Sequence, residues 1–197
     1  MQLAILCGGI ATRLGDLSKN TPKILMDING TPFIEILLAE YRKAGFDKFV
    51  LLTGHLGKKL KKYESNNIQI MIEKKPLGTG GAVTHALDKL DSHFWVANGD
   101  TFIKAEYVKR YIEYSKVHEN SSFILGSKHA GLFSFNKDFI LLFKILPESR
   151  DKQLNLEKDI LSRMCDVHYY VGIGKFHDIG TPERLEEFRK FYKRGVI

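Results

Sequence analysis

Two cysteines, five prolines and one tryptophan are all that this 197-residue chain holds of those three residue types. Cys7 and Cys165 are too few and too unpatterned for a disulfide framework or a structural zinc site, so both read as core residues in a reducing compartment. No apolar run approaches the roughly twenty residues that span a bilayer. The opening stretch turns glycine-rich at Gly8 before a secretory core can form, which predicts a cytoplasmic protein with no membrane partner. Repeats, low-complexity stretches and linkers are also missing, and the length suits one compact domain over residues 1–197. No Gly-Lys-Ser or Gly-Lys-Thr follows the first glycines, and they do not form the dinucleotide pattern G-x-G-x-x-G, so a Walker loop and a Rossmann dehydrogenase are both disfavoured.

What is present is a hydrophobic content of 44%, enough for a substantial core, and a net charge of +7. Such a charge suits nucleic acid, an anionic membrane or a small polyanion. The basic residues are dispersed, as in Lys58, Lys59, Lys61 and Lys62 or Lys190, Lys193 and Arg194, and they read as solvated helix faces. Without a dense basic arm or a nucleic-acid motif, nucleic acid is not an expected partner.

Hydrophobic periodicity alternates between two kinds of element. Gln2 to Cys7 is a short buried strand that ends in Gly8-Gly9. Phe33, Ile36, Leu37, Tyr41 and Ala44 share one face of a helix over Pro32 to Ala44, which Gly45 closes. Strands over Lys48 to Thr53 and Ile68 to Ile72, with helices over Gly57 to Glu64 and Gly80 to Leu90, continue the series. Strand Phe94 to Ala97, helix Ala105 to His118, and strands Ser122 to Leu125 and Leu132 to Phe135 follow. The last third is less regular: a helix near Leu156 to Met164, strands near Val167 to Val171 and Gly174 to His177, and a helix from Pro182 to Lys193. This order predicts an α/β fold, a three-layer Rossmann-like and mainly parallel sheet with helices on both faces. Sheets of this kind bind ligands beyond the carboxyl ends of their strands.

Four segments carry chemistry. In Gly8-Gly9-Ile10-Ala11-Thr12-Arg13-Leu14 the glycines let backbone amides approach phosphate oxygens, Thr12 offers a hydroxyl, and Arg13 offers a planar fork. Pro22-Lys23 follows it. Glu73-Lys74-Lys75-Pro76-Leu77-Gly78-Thr79-Gly80-Gly81-Ala82 lies between a strand and a helix and is by itself a turn. Asn98-Gly99-Asp100 ends a strand in a carboxylate, although Asn-Gly between apolar runs is equally a hairpin signal. His177-Asp178-Ile179-Gly180-Thr181-Pro182 contains an N-cap and a first helical proline, which account for Thr181 and Pro182 and leave Asp178 unexplained. His177 is an unlikely ligand for an oxygen-preferring metal, and it reads as structural, as do His55, His85 and His168.

Taken in order, the four segments resemble the sugar-1-phosphate nucleotidylyltransferase family, whose usual loop is Gly-Gly-x-Gly-Thr-Arg-Leu followed by Pro-Lys. The likeness covers almost the whole chain and implies the nucleotide-diphospho-sugar transferase fold. Ala11 stands where the family usually has glycine. The resemblance implies that Leu6, Gly8, Gly9, Ala11, Thr12 and Arg13 bind a nucleoside triphosphate, the loop amides at its β and γ phosphates and Arg13 at the departing pyrophosphate. Glu73, Pro76, Gly78, Thr79 and Gly80 would read its base and ribose. Arg13, Lys23 and Asp100 would be catalytic, with Asp100 and Asp178 holding Mg²⁺. The Gly80-Gly81-Ala82 form looks closest to guanylyltransferases acting on heptose or mannose 1-phosphates, which makes GTP the expected donor. Glu73 is a candidate acceptor for the guanine N1–H and amino group.

The acceptor side departs from the pattern. Family members carry a longer stretch with a Glu-Lys hairpin and Asn-Ala-Gly, whereas here Phe123 to Gly126 passes through Ser127-Lys128-His129 almost directly into Ala130-Gly131-Leu132. Lys128 stands either for the missing lysine or for an exposed turn residue. Lys128, Gly131 and Glu157 are the candidates for binding the sugar phosphate. This compression keeps open a second class, a nucleotide-binding regulatory or pseudoenzyme subunit without full sugar recognition. The resemblance also implies a homo-oligomer.

Overall fold

The computed structural model describes residues 1–9, 11–118, 120–125, 128–136, 153–163, 167–172 and 174–193, with backbone only for Ile124, Leu125 and Lys128. Its first strand, β1 (Gln2–Leu6), is parallel to β4 (Lys48–Thr53) on one side and to β6 (His93–Asn98) on the other. Side chains alternate between faces along each strand. Leu3, Ile5, Phe49, Leu51, Trp95 and Ala97 enter one buried cluster, while Ala4, Val50, Leu52, Phe94 and Val96 enter another. Because both faces are covered, these strands read as continuous apolar runs.

Beyond β4 lies β5 (Ile68–Ile72), and beyond β6 lie β9 (Lys128–Asn136), β8 (Ser121–Leu125) and β10 (His168–Gly172). In this seven-stranded sheet β9 runs antiparallel to both β6 and β8, and the other pairings are parallel. The expected mainly parallel sheet with helices on both faces is therefore present. Helices α1 (Phe33–Ala44), α3 (Ala105–Ser115) and α4 (Pro182–Lys193) contribute to the first cluster. The second is covered by α2 (Gly78–His85) and a π-helical turn at Leu156–Ile160.

Several expected helices are shorter or tighter than periodicity suggests. Gly57–Tyr63 is a 3₁₀ segment with Leu60 as its one buried large apolar side chain, too little to anchor an α-helix. The helix expected over Gly80 to Leu90 starts earlier and gives way to a 3₁₀ turn at Leu87–Lys89. The helix expected near Leu156 to Met164 is the π turn followed by a 3₁₀ turn at Leu161–Arg163.

Two small antiparallel pairs complete the frame: β2 (Asp27–Ile28) with β3 (Thr31–Pro32), and β7 (Thr101–Phe102) with β11 (His177–Asp178). The first is a hairpin turned at Asn29 and Gly30, both with positive φ. Arg189 of α4 locks it, donating from Nε and Nη2 to the Asp27 carbonyl at 3.0 and 2.8 Å. The second pair settles Asn98-Gly99: β6 does not fold back on β7, so the hairpin alternative is wrong there.

Glu40 of α1 is only 4% exposed, and its Oε2 accepts the amide of Ala105, the first residue of α3, at 2.9 Å. A carboxylate at a helix N-terminus satisfies a donor that the helix itself cannot. Glu40→Ala strands that buried N–H and is expected to cost about 1–3 kcal/mol. A lower urea midpoint with unchanged slope would report it, and an unchanged midpoint would refute it.

Candidate active site

The carboxyl ends of β1, β4 and β5 open onto a cavity of about 610 Å³. Its wall includes Leu6, Gly8, Gly9, Ala11, Thr12, Glu73, Pro76, Gly78 and Thr79. These come from the two segments expected to hold a nucleotide. The structure adds Leu52, Gly54, His55, Lys74, Lys75, Ala82 and Gln153. Thus His55 is a cavity residue rather than a merely structural one, and Lys74 and Lys75 supply positive charge that the sequence reading passed over. Arg13 and Gly80 are not part of the wall; Arg13 is exposed on the 3₁₀ segment Thr12–Ser18 that leaves it.

Glu73 follows β5 as the strand's last backbone bond, Glu73 N to Thr53 O at 2.8 Å, closes. Its Oε2 accepts the Leu77 amide at 3.0 Å. Its Oε1 lies against Gly8 and Gly54; a Cβ added to Gly54 would sit 2.6 Å from it. Burial holds the Glu73 carboxyl above the ordinary carboxylate range, against the lowering effect of the Leu77 bond and of nearby His85.

The glycines of the second segment have an internal reason. Gly80 donates to the Leu154 carbonyl at 2.8 Å, and Leu154 N returns a bond to Leu77 O at 2.9 Å. The Thr79 hydroxyl accepts from Leu156 N at 2.8 Å. A Cβ on Gly78, whose φ is +77°, would lie 2.4 Å from Leu154 O, and one on Gly80 would meet Ile160 at 2.8 Å. The loop is glycine-rich where chain segment 154–160 lies on it. The Gly80 amide is committed to that contact.

Leu6 joins this cavity to the second part of the site. Its carbonyl accepts the Gly99 amide at 3.0 Å, so Asp100 lies just past the cavity wall. Lys23, placed by a 3₁₀ turn at Lys23–Leu25, reaches Asp100 with Nζ 2.6 Å from Oδ2. Across the β7–β11 pair Asp178 faces Thr101, and Ile179 N donates to the Asp100 carbonyl at 2.9 Å. Arg184, which the sequence reading missed, sets one nitrogen 2.9 Å from both oxygens of Asp178. It lies two residues into α4 from Pro182, a spacing that puts it back over the strand end. Lys23, Asp100 and Asp178 therefore lie together, while among the described residues Arg13 makes no ion pair with either carboxylate.

A family model described as the MobA-like NTP transferase domain matches residues 3–136, which takes in both cavity segments and Asp100. The chain belongs to this family. It is 36% identical over 122 residues to a D-glycero-alpha-D-manno-heptose 1-phosphate guanylyltransferase of Campylobacter jejuni, covering 59% of this chain and 55% of that protein. The chain thus spans just over half the length of that relative. A protein of the same name from Aneurinibacillus thermoaerophilus is 26% identical over 227 aligned positions, covering 98% and 97% of the two chains. That alignment runs longer than this chain, so the relative has residues with no counterpart here. The crystal structure of HddC from Yersinia pseudotuberculosis complexed with GMP-PN superposes with a TM-score of 0.80 at 25% identity, covering 97% of this chain and 99% of that one.

Of the residues expected to bind the sugar phosphate, Gly131 of this MobA-like domain sits in β9 with φ +66°, and a Cβ there would fall 2.3 Å from Nδ2 of Asn98. Glycine is thus required for β9 to pass the end of β6. Glu157 is exposed on the π turn, whose first amides, Glu157 N and Lys158 N, are capped by Asn155 at 3.0 and 2.9 Å. Lys128 begins β9 opposite Leu125, and its side chain lies outside the described residues, as does Cys165. Cys7 is partly buried against the core, with Sγ donating to Ile5 O at 3.3 Å. His177 stacks on Phe191 with centroids 4.1 Å apart, and burial, with Lys175, lowers its pKa; it is a packing ring.

The substitution of Ala11 for the usual glycine matters because Ala11 holds φ 52°, ψ 41°. The left-handed region costs a residue with Cβ about 1–2 kcal/mol. Ala11→Gly relieves that strain but frees the unfolded chain by about 0.4–1 kcal/mol, so it is expected to be near neutral. Ala11→Val, β-branched, is expected to lose at least about 1 kcal/mol. Equal urea midpoints for Val and Ala would show that position 11 is unstrained.

Glu73→Gln keeps the acceptor for Leu77 and removes a desolvated charge. Because the folded pKa is raised, the native state binds the proton more readily than the unfolded chain. The wild-type stability tied to Glu73 is therefore complete below the ordinary carboxylate value and lost as pH rises through the raised one. Glu73→Gln should stabilise the protein at neutral pH more than in acid, as compared by urea midpoints. A gain independent of pH would contradict this.

Proposed function

We propose that this MobA-like domain is a sugar-1-phosphate guanylyltransferase, transferring GMP from GTP to a heptose- or mannose-type sugar 1-phosphate with release of pyrophosphate. The observation that carries the reading is the 2.6 Å contact between Lys23 and Asp100 at the edge of the cavity, on the strand pair that delivers Asp178. The names of the relatives and the nucleotide analogue bound to HddC support the same chemistry.

In this reading a phosphate oxygen of the acceptor attacks the α-phosphorus of GTP. One P–O bond forms there, and the bond to the bridging oxygen breaks, its electron pair leaving with pyrophosphate. The acceptor phosphate is already an anion at neutral pH, so no side chain must abstract a proton. The protein's work is positioning and charge neutralisation. Amides of the Gly8–Thr12 loop cradle the β and γ phosphates, Arg13 offsets the leaving pyrophosphate, and Lys23 offsets charge near the α-phosphate. Glu73 accepts from the N1–H and amino group of guanine, a donor pair that adenine lacks on the same edge. Gly131, Glu157 and Lys128 belong to the acceptor side.

Asp100 and Asp178 suit a hard cation that prefers oxygen, and we assign Mg²⁺ to them. Among the described residues no cluster of three or more metal-ligating side chains is present. Two carboxylates fit Mg²⁺ in its usual mode, with phosphate and water as the remaining ligands. When bound there it supplies charge neutralisation at the α-phosphate. Among the described residues no helix is long and apolar enough to cross a membrane. We place the protein in the cytoplasm, as an assembly of identical chains.

The test is a pyrophosphate-release screen that crosses the four nucleoside triphosphates with mannose, glucose and heptose 1-phosphates in the presence of magnesium. Release is expected to be fastest with GTP and a heptose or mannose 1-phosphate. Asp100→Asn should slow turnover by about 10²–10³-fold or more while leaving the urea midpoint nearly unchanged. Triphosphate binding without release from any pair would favour the regulatory subunit instead.

A further inference from the structure

The acceptor carries an anionic phosphate, yet the compressed stretch before β9 omits the family hairpin that would bring a lysine to it. Among the described residues Arg184 is a cation held on Asp178, as Lys23 is held on Asp100. Its side chain is 48% exposed, on the first turn of α4, and among the described residues it is anchored only through Nη1, 2.9 Å from the two oxygens of Asp178. Among the described residues its Nε and Nη2 make no hydrogen bond, so most of the donor fork is unspent. Both carboxylates thus carry a built-in counter-cation, Lys23 on Asp100 and Arg184 on Asp178. Nη1 lies between both Asp178 oxygens, so a divalent cation taking that same edge of the carboxylate competes with Arg184.

We propose that Arg184 is a transferable anion-binding residue: it neutralises Asp178 until a divalent cation takes that carboxylate, and then binds the phosphate of the sugar acceptor. This rests on the transferase reading above. No covalent bond changes in the exchange; one ion pair is replaced by another. The partly exposed pair is weak enough to give way, whereas a guanidinium on a phosphate forms the stronger, two-pronged contact. The arrangement also links the two events: the cation loads poorly until an anion is present to receive the displaced arginine.

The experiment compares wild type with Arg184→Gln and Arg184→Lys. Mn²⁺ binding to the protein without nucleotide is followed by the paramagnetic resonance of the free ion, and steady-state pyrophosphate release is measured with Mg²⁺. Removing the competitor should make Arg184→Gln bind Mn²⁺ roughly two- to five-fold more tightly, the factor a partly exposed ion pair is worth. The same variant should raise KM for the sugar 1-phosphate about tenfold or more, with KM for GTP unchanged. Arg184→Lys should recover part of both. An arginine that merely props Asp178 in place predicts the opposite sign for Mn²⁺, weaker binding on removal. Unchanged or weaker Mn²⁺ binding overturns the inference, and so does an unchanged acceptor KM in an active enzyme. A wild-type protein that releases no pyrophosphate with any pair overturns the transferase reading, and the inference falls with it.

Discussion

Two residues of antiparallel pairing decide where the charge of this protein collects. Thr101–Phe102 against His177–Asp178 ties the end of a central strand to the entry of the last helix, and Ile179 N on the Asp100 carbonyl fixes their offset. Without that pair Asp100 would carry Lys23 alone, and Asp178 would be one more surface carboxylate. The pair is held from beneath: Phe102 packs on Phe188 of α4 with ring centroids 5.2 Å apart, and His177 packs on Phe191. Aromatic burial of this kind supplies area that two strand residues cannot. The site's electrostatics thus depend on an apolar contact on the far side of the backbone.

The central strands and α1 were legible because their patterns are strong. Lys48–Thr53, Ile68–Ile72 and Pro182–Lys193 have the bounds that periodicity predicts, and the helix closed by Gly45 ends there with φ 107°. The convergence of Lys23, Asp100 and Asp178 was legible only through resemblance, since nothing local in the sequence says that β7 will seek β11. The two Asn-Gly pairs show the limit. Asn98-Gly99 invites a hairpin and makes none, whereas Asn29-Gly30 turns one and drew no attention. In the first case the pairing is decided by tertiary contacts that a local rule does not contain; in the second, strands of two residues are too short to give a periodic signal.

Arg184 was missed for a related reason. On an exposed helical turn, an arginine after Pro-Glu looks like an ordinary solvated charge, and only the direction of α4 over the strand pair turns it toward Asp178. Lys74 and Lys75 were read as turn residues because their place in the cavity wall depends on how the Glu73–Leu77 bond folds the segment back. Ala11 is the reverse case. Its departure from glycine was legible, and the left-handed backbone at that position shows that the departure carries a conformational cost.

The docking of Leu154 and Leu156 onto Leu77, Thr79 and Gly80 makes two walls into one body. Gln153 looks into the cavity from one end of that body, and Glu157 stands at the other. Because neither Gly78 nor Gly80 has room for a single added carbon, the contact can slide very little. Under the proposed function, the residues assigned to the donor base and Glu157 on the acceptor side therefore ride on one backbone contact, so that a shift at either wall is carried to the other.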